Sequence, residues 1–418
     1  NNIINKNKKN NIKTEIVIGN AHYSDENIEV KYARENNIEL EHFPRLLEKY
    51  FIKKNSVVIA GTYAKTTMTA MASWIFEVAS KNPCYMLGGI PLNFQHGASL
   101  TKSNISIAEG DEYPAASPWD YSSKFDFYHP KYLILTSAEW DHFDIFKTKK
   151  SYIDTFINLV KSLPRDGLII AKYGGENLNQ VLKYAKCKIV YYSCNKPQTA
   201  VNKNFYYVTD KKISRGKVDF SVLQGSKLVS HFKTSLIGDF NLENWCAVIA
   251  LSNELRLDLK KIQNGVESFK GVKRRLEMRG IKNKITVIDD FAHSPSKARG
   301  SVEALREYFP NGKIFVVFEP NRGGRSLKCM ANYKNVFVGA RKVFVPNLTT
   351  YKAKQGVYDV SGQELAFYLN KKQKNAVFEP DNKKIIANLK KIVKLGDVVA
   401  FMGSRDFDTT IKQLLKTL

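Results

Sequence analysis

The sequence predicts an α/β protein built on parallel sheets covered on both faces. Three observations lead there. From Ser56 onward, short apolar strands alternate with helical stretches. The same alternation resumes near Arg279. Between the two, residues 203–236 alternate like antiparallel strands. Strand–helix alternation of this kind feeds parallel sheets, because each crossover helix covers a face. With 418 residues and 43% hydrophobic content, the chain is too long for one ordinary domain, so two or three are expected.

The elements follow in order. Residues 1–11 are polar and read as a poorly ordered start. Residues 15–18 suit a strand, 26–36 a helix, 38–40 a strand and 44–50 a helix. Residues 56–60 form a buried strand and 66–79 a helix, with Met68, Met71, Ala72, Ile75 and Ala79 at helical spacing. Strands are expected at 105–108, 132–135 and 167–171, and helices at 151–160 and 241–252. In the last block, 286–288, 313–318, 342–345 and 398–401 read as strands, with a helix at 296–308.

Composition narrows the classes. No apolar run reaches the roughly 18 residues that span a bilayer, and the N-terminus lacks the apolar segment of a signal peptide. The five cysteines are scattered and form no CxxC pair, which excludes a disulfide framework and a zinc site and fits a reducing cytoplasm. The net charge of +25 would attract polyanions, but the lysines crowd into spacers such as 147–150, 371–374 and 383–384, as an AT-rich genome would give. A polyanion-binding protein would therefore rest on charge alone, so neither nucleic acid nor membrane is expected as a partner.

Chemistry concentrates in a few motifs. In Val57-Val58-Ile59-Ala60-Gly61-Thr62-Tyr63-Ala64-Lys65-Thr66-Thr67, a buried strand turns directly into a helix. Such a turn aims N–H groups and the helix dipole at a phosphate, with Lys65 as a point charge and Thr66 placed to ligate magnesium. Ala64 stands where a standard phosphate loop has Gly, at a cost of about 1 kcal/mol or more if the position needs positive φ. Two acidic clusters follow at strand ends: Glu109-Gly110-Asp111-Glu112 and Glu139-Trp140-Asp141-His142. Oxygen-rich groups there suit magnesium.

The order Gly61-Thr62-x-x-Lys65-Thr66-Thr67, Glu109 and Glu139-x-Asp141-His142 resembles the Mur ligases. The resemblance continues through Gly238-Asp239-Phe240-Asn241-Leu242-Glu243-Asn244, Gly271-Val272-Lys273-Arg274-Arg275-Leu276-Glu277 and Asp289-Asp290-Phe291-Ala292-His293-Ser294-Pro295, covering roughly residue 15 to the end. Within the family, Leu87-Gly88-Gly89-Ile90-Pro91-Leu92-Asn93-Phe94, Asp111-Glu112-Tyr113, Asp141-His142-x-Asp144-Ile145-Phe146, Asp289 to His293 and Phe318-Glu319-Pro320 look closest to the muropeptide-recycling branch. That branch joins L-alanyl-γ-D-glutamyl-meso-diaminopimelate to UDP-N-acetylmuramate.

The resemblance implies three domains: an incomplete N-terminal Rossmann-like UDP domain (1–54), a central P-loop ATP-binding domain (55–278) and a C-terminal Rossmann-like domain for the incoming amino acid or peptide (279–418). It implies a cytoplasmic, monomeric, ATP- and Mg2+-dependent ligase of peptidoglycan metabolism, acting through an acyl phosphate. Lys65, Glu109 and His142 would be catalytic. Gly61, Thr62, Lys65, Thr66, Thr67, Asn241, Asn244, Arg275 and Asp290 would hold ATP. Thr66 would hold a first magnesium, and Glu109 and His142 a second. His293 falls near the site, and Arg322, Arg325 and Arg405 are candidates for a peptide carboxylate.

The sequence departs from the family in four places: Tyr63-Ala64 for His-Gly, Phe240 for His, Ser294 for His, and a rearranged 319–325 segment. The polar run 1–11 leads into what resembles a late part of the UDP domain, which predicts weak binding of the UDP substrate. Two alternatives stand beside the recycling ligase: the UDP-N-acetylmuramate–L-alanine ligase, and a decayed nucleotide-binding homologue without ligase activity.

Overall fold

The computed structural model describes residues 16–18, 27–94, 96–116, 120–140, 145–198, 202–214, 216–321, 323–348, 359–371 and 373–418. A small parallel pair comes first: β1 (Ile16–Ile18) lies beside β2 (Leu40–His42), with Ile16 opposite Leu40. The helix Ile28–Glu35 connects them, and its Asn27 cap accepts the N–H groups of Glu29 and Val30. A short helix, Phe43–Leu46, then widens into a π-helical turn, Leu47–Phe51. Leu47 and Phe51 are buried in the same core as Val58 and Leu133, which fastens this block to the main sheet.

The main sheet has ten strands. In chain order they are β3 (Asn55–Ala60), β4 (Cys84–Met86), β5 (Ala98–Ser99), β6 (Ile105–Gly110), then, after a separate hairpin β7 (Pro114–Ala116) and β8 (Asp120–Ser123), β9 (Tyr132–Leu135), β10 (Leu168–Lys172), β11 (Lys188–Ser193), β12 (Phe205–Ser214), β13 (Lys217–Gln224) and β14 (Lys227–Thr234). Their spatial order is β14-β13-β12-β11-β10-β9-β3-β6-β4-β5. The strands from β12 to β4 run parallel, while β13, β14 and β5 pair antiparallel at the edges. Val57, Val58, Ile59 and Ala60 are wholly buried, as a strand covered on both faces requires. Helices Lys65–Val78, Asp239–Glu254 and Leu259–Ser268 cover one face, and Lys149–Ser162 covers the other.

The third sheet comprises β15 (Glu277–Lys282), β16 (Ile285–Asp290), β17 (Ile314–Glu319), β18 (Lys342–Val345), β19 (Ala376–Phe378) and β20 (Val398–Gly403), in the order β15-β16-β20-β17-β18-β19. All pair parallel except β15. Because β20 inserts between β16 and β17, Asp290 lies opposite Met402 and Glu319 opposite Gly403. Three strand ends thus open together, where ligands of open α/β sheets bind.

The α/β class holds, with one difference from expectation. Beyond the expected 203–236 meander, two short antiparallel edge strands join the sheets, β5 in the main sheet and β15 in the third, and β15 leaves Met278 and Ile281 exposed. Among the described residues no helix is long and apolar enough to cross a membrane, and all five cysteines are free.

The turn after β3 is tightly packed. Gly61 has φ +122°, and a Cβ there would sit 2.2 Å from Thr136 Oγ1. Ala64 adopts the left-handed conformation, with φ 61° and ψ 4°, immediately before the helix Lys65–Val78. An L-residue pays roughly 1–2 kcal/mol for this shape. Ala64→Gly should therefore stabilise the protein by about 1 kcal/mol, the left-handed cost less the added freedom of an unfolded glycine. A higher urea midpoint for the variant would bear this out, and an unchanged or lower one would not.

Candidate functional site

The site begins with a buried cation. Lys65 opens its helix at the sheet's carboxyl edge, with its side chain only 13% exposed. Its ammonium donates to Gly61 O at 3.0 Å and Glu112 Oε2 at 3.0 Å, with Asp111 Oδ1 at 4.0 Å. Burial by itself would lower its pKa, but Glu112, Asp111 and Glu109 outweigh burial and hold it above the usual lysine value. It is a fixed positive charge.

Glu109 forms the neighbouring corner. Thr66 Oγ1 donates to its Oε1 at 2.8 Å, and the Gly88 N–H donates to Oε2 at 2.7 Å. Burial, then the charge of Asp111, raises its pKa against those two donors and Lys65. Glu112 is 1% exposed and lies 3.5 Å from the buried Tyr152 hydroxyl. That hydroxyl is also 3.3 Å from Thr62 Oγ1, which donates to Glu139 O at 2.9 Å. The loop is thus tied to both acidic segments. Thr67 sits half-buried in the helix's first turn.

The Gly238–Asn244 segment starts the helix Asp239–Glu254, with Asn241 and Asn244 buried. Asn241 Nδ2 donates to Ile237 O at 2.8 Å, and Asn244 Nδ2 to Asn241 Oδ1 at 3.4 Å. Phe240, in contrast, is 40% exposed.

The third block contributes from the opposite side. Arg275 is depressed by burial below the ordinary arginine value, while the charges of Asp290 and Glu109 both pull it back up. It therefore lies within electrostatic reach of both Asp290 at the end of β16 and the Glu109 corner. Asp290 is buried, accepts from Ser301 Oγ and the Leu276 N–H, and is raised by that burial. His293 Nδ1 is 2.8 Å from Phe291 O, and its Nε2 is 3.4 Å from Lys297 Nζ. Lys297 Nζ in turn stands 6.0 Å above the Tyr63 ring, linking the third block to the phosphate loop.

The carboxylate-binding candidates divide. Arg405 is partly exposed at the end of β20, 3.5 Å from Glu319 Oε2. Arg325 is 4% exposed and 3.8 Å from Asp359 Oδ2, so its charge is matched inside the fold rather than presented at a surface. His142 and Arg322 lie outside the described residues. The sequence reading assigned no role to Glu112, Tyr152, Thr136, Lys297 or Arg274, although Glu112 stood in the acidic run after β6 and Arg274 in the 271–277 motif.

An oxygen-rich corner beside a helix N-terminus and a buried lysine has the chemistry of a metal–polyphosphate site. Residues 59–252 match the Mur ligase middle domain, and residues 274–405 match the Mur ligase glutamate ligase domain. A UDP-N-acetylmuramate–L-alanine ligase from Clostridium tetani is 30% identical over 405 residues, covering 96% of this chain and 84% of the relative. The UDP-N-acetylmuramate–L-alanyl-γ-D-glutamyl-meso-2,6-diaminoheptandioate ligase of Escherichia coli is 34% identical over 307 residues, covering 73% of this chain and 65% of the relative. Among solved structures, a UDP-N-acetylmuramate–alanine ligase from Thermotoga maritima superposes with a TM-score of 0.75 at 24% identity, over 96% of this chain and 84% of that one. A murein peptide ligase from Psychrobacter arcticus gives 0.63 at 21% identity, over 96% and 85%. The expected leaning toward the recycling branch is thus corrected in part: relatives matched along nearly the whole chain carry the L-alanine name, and the tripeptide-adding relative matches a shorter stretch. The chain belongs to the Mur ligase family, whose members are ATP-dependent, amide-forming ligases of peptidoglycan synthesis, and it is an enzyme of that class.

Proposed function

We propose that the chain joins L-alanine to the lactyl carboxylate of UDP-N-acetylmuramate at the expense of ATP. The observation that carries this is the Lys65–Glu109–Glu112 corner at the carboxyl edge of the main sheet, with the buried Arg275 of the chain crossing close enough for the charges of both Glu109 and Asp290 to act on it. Activation of a carboxylate by phosphate and attack by an amine need two sites close together. The choice of L-alanine is supported by the relatives that cover most of the chain.

In this reading the substrate carboxylate oxygen attacks the γ-phosphorus, and ADP leaves. The amine nitrogen then attacks the acyl carbon, and inorganic phosphate leaves. The N–H groups of the 61–65 turn and the helix N-terminus orient the phosphates, and Lys65 offsets charge on the transferring group. Thr66, Glu109 and His142 would hold magnesium, which when bound neutralises phosphate charge. The donors fit that hard cation, since Thr66 Oγ1 and Glu109 Oε1 already meet at 2.8 Å. Asn241, Asn244, Arg275 and Asp290 complete the nucleotide site, and Arg405 with His293 receives the acceptor carboxylate. The division at 1–54, 55–278 and 279–418 assigns UDP, ATP and acceptor to successive domains of a cytoplasmic monomer.

The tripeptide acceptor remains a second reading, favoured by the 34% identity to the Escherichia coli enzyme. Phosphate release with ATP, magnesium and UDP-N-acetylmuramate decides between them. Release that requires L-alanine supports the proposal, and release that requires the tripeptide replaces it with the recycling activity. No release with either, from a folded chain that binds ATP, points to a nucleotide-binding homologue without ligase activity. With the productive acceptor, Lys65→Ala should lower kcat by at least about a hundredfold, the scale for losing one preorganised electrostatic group.

Glu112 makes a separate test. Removing one member of a buried ion pair strands the other, and Asp111 compensates only partly at 4.0 Å. Glu112→Gln should destabilise the nucleotide-free protein by roughly 2–3 kcal/mol. ATP with magnesium should recover much of that, because the phosphates replace the missing anion. Equal melting shifts on adding ATP to parent and variant would count against this.

A further inference from the structure

We propose that Arg274 is a positioning residue: it carries the geometry of the chain crossing between the main and third sheets into the acceptor-carboxylate site at Arg405. The inference deepens, and rests on, the reading of Arg405 given above.

The crossing segment is held rigidly. Leu92 N donates to Gly271 O and Lys273 N to Ile90 O, both at 2.9 Å, so residues 271–273 are laced to the main block. Gly271 has φ 98°, and two larger residues that follow, Arg274 (φ 59°) and Leu276 (φ 48°), are also left-handed. Two non-glycine residues in that region within three positions persist only where their surroundings fix them. For Arg274 the fixing groups are visible. Its N–H donates to Glu277 Oε2 at 2.8 Å, and its carbonyl accepts the Phe291 N–H at 2.7 Å.

Its side chain then reaches the third sheet's open edge. One terminal nitrogen donates to Gly403 O at 2.8 Å and to Arg405 O, and the other lies 3.5 Å from Ser404 O. Nε is 3.5 Å from Asp289 Oδ1, and the guanidinium stacks 5.1 Å from the Phe291 ring centre. Three successive carbonyls of the turn leaving β20 are therefore gathered by one planar fork. That turn has little freedom of its own, since a Cβ on Gly403 would lie 2.1 Å from Glu319 O. Arg405 leaves the same turn and points its guanidinium toward Glu319 Oε2 and Asn347 O, at 3.5 and 3.3 Å. Where Arg274 sits, the Arg405 backbone must follow.

A lysine ammonium can answer Asp289 but cannot span three carbonyls, because it lacks the planar fork. Arg279 supplies the control. It pairs with Asp289 at 3.0 Å and with Asp408, but no hydrogen bond joins it to the 403–405 carbonyls.

The test uses the full chain and phosphate release, with ATP and the productive acceptor titrated separately. Arg274→Lys is expected to raise KM for the acceptor about tenfold while KM for ATP stays within about twofold, since a misplacement near 1 Å costs up to about a hundredfold. Arg405→Ala, run beside it, is expected to raise the same KM by at least as much, with the double variant adding little. An unchanged acceptor KM in Arg274→Lys, with a raised one in Arg405→Ala, overturns the positioning role and leaves the acceptor reading intact. An unchanged KM in Arg405→Ala, or no acceptor-dependent release from the parent, overturns that reading and this inference with it. A parallel rise in both KM values also overturns it. Should Arg274→Lys fail to fold, Arg274→Gln takes its place. Failure of both to fold, while Arg279→Lys folds, assigns Arg274 a purely structural role and overturns the proposal.

Discussion

An ammonium group can be buried at the edge of an apolar sheet only if anions surround it. Lys65 has three carboxylates acting on it, and their positions organise much of the central site. Glu112 takes the closest place and is almost wholly buried, Asp111 stands further out, and Glu109 is drawn aside by Thr66 and the Gly88 N–H. This requires β6 to end beside β3, which their parallel register provides by setting Glu109 opposite Ile59. It also requires the 87–89 turn to approach closely. A Cβ on Gly89 would sit 2.8 Å from Thr66 Cγ2. The phosphate loop is therefore only half of the site here, and the other half is the acidic strand end that keeps its lysine charged.

The third block meets this corner in two places, through the Arg274–Arg275 stretch and through Lys297 above the Tyr63 ring. Arg274 and Arg275 are neighbours that diverge, with their guanidinium groups stacked 5.1 and 4.9 Å from the Phe291 ring centre. Arg274 reaches into the third block, toward Asp289 and the 403–405 carbonyls. Arg275 is buried within reach of the charges of Asp290 and Glu109. One aromatic ring thus lies against both guanidinium groups at the point where they diverge. Lys211 adds a tie further along, pairing with Asp239 at the start of the Asp239–Glu254 helix and with Glu307 of the third block.

Much of this was legible in the sequence. The β3–loop–helix unit follows from an apolar run that stops at Gly61 and from helical spacing after Lys65, and both hold within a residue. The 203–236 meander was readable from its alternation. Short edge strands were not, because β15 and β19 show no burial alternation to detect. Nor were partners brought together across long separations. Glu112 lies 47 residues from Lys65, and Arg274 lies about 130 from the carbonyls it gathers, so only the fold reveals those pairings. Arg325 shows the opposite failure. A charge in a Gly-rich segment reads as exposed, yet this one is buried against Asp359, which follows β18 in the chain.

The phosphate loop's departures from the family pattern make sense together. A left-handed Ala64 costs about 1–2 kcal/mol in isolation, so something must hold the residues on either side. On one side the Tyr63 carbonyl accepts Thr136 Oγ1 at 3.1 Å, and that threonine's own N–H is bound to Ala60 O at 3.1 Å. The Tyr63 ring extends toward Lys297 of the third block, at a distance where the ring face attracts a cation. On the other side, Ala64 O accepts the Met68 N–H and Lys65 Nζ closes onto Gly61 O, both at 3.0 Å. The loop is therefore pinned by bonds that an alanine at 64 makes as readily as a glycine, since that residue contributes only its backbone carbonyl. Under those constraints alanine is a local cost rather than a break in the motif, and the tyrosine beside it gives the loop a contact with Lys297 of the third block.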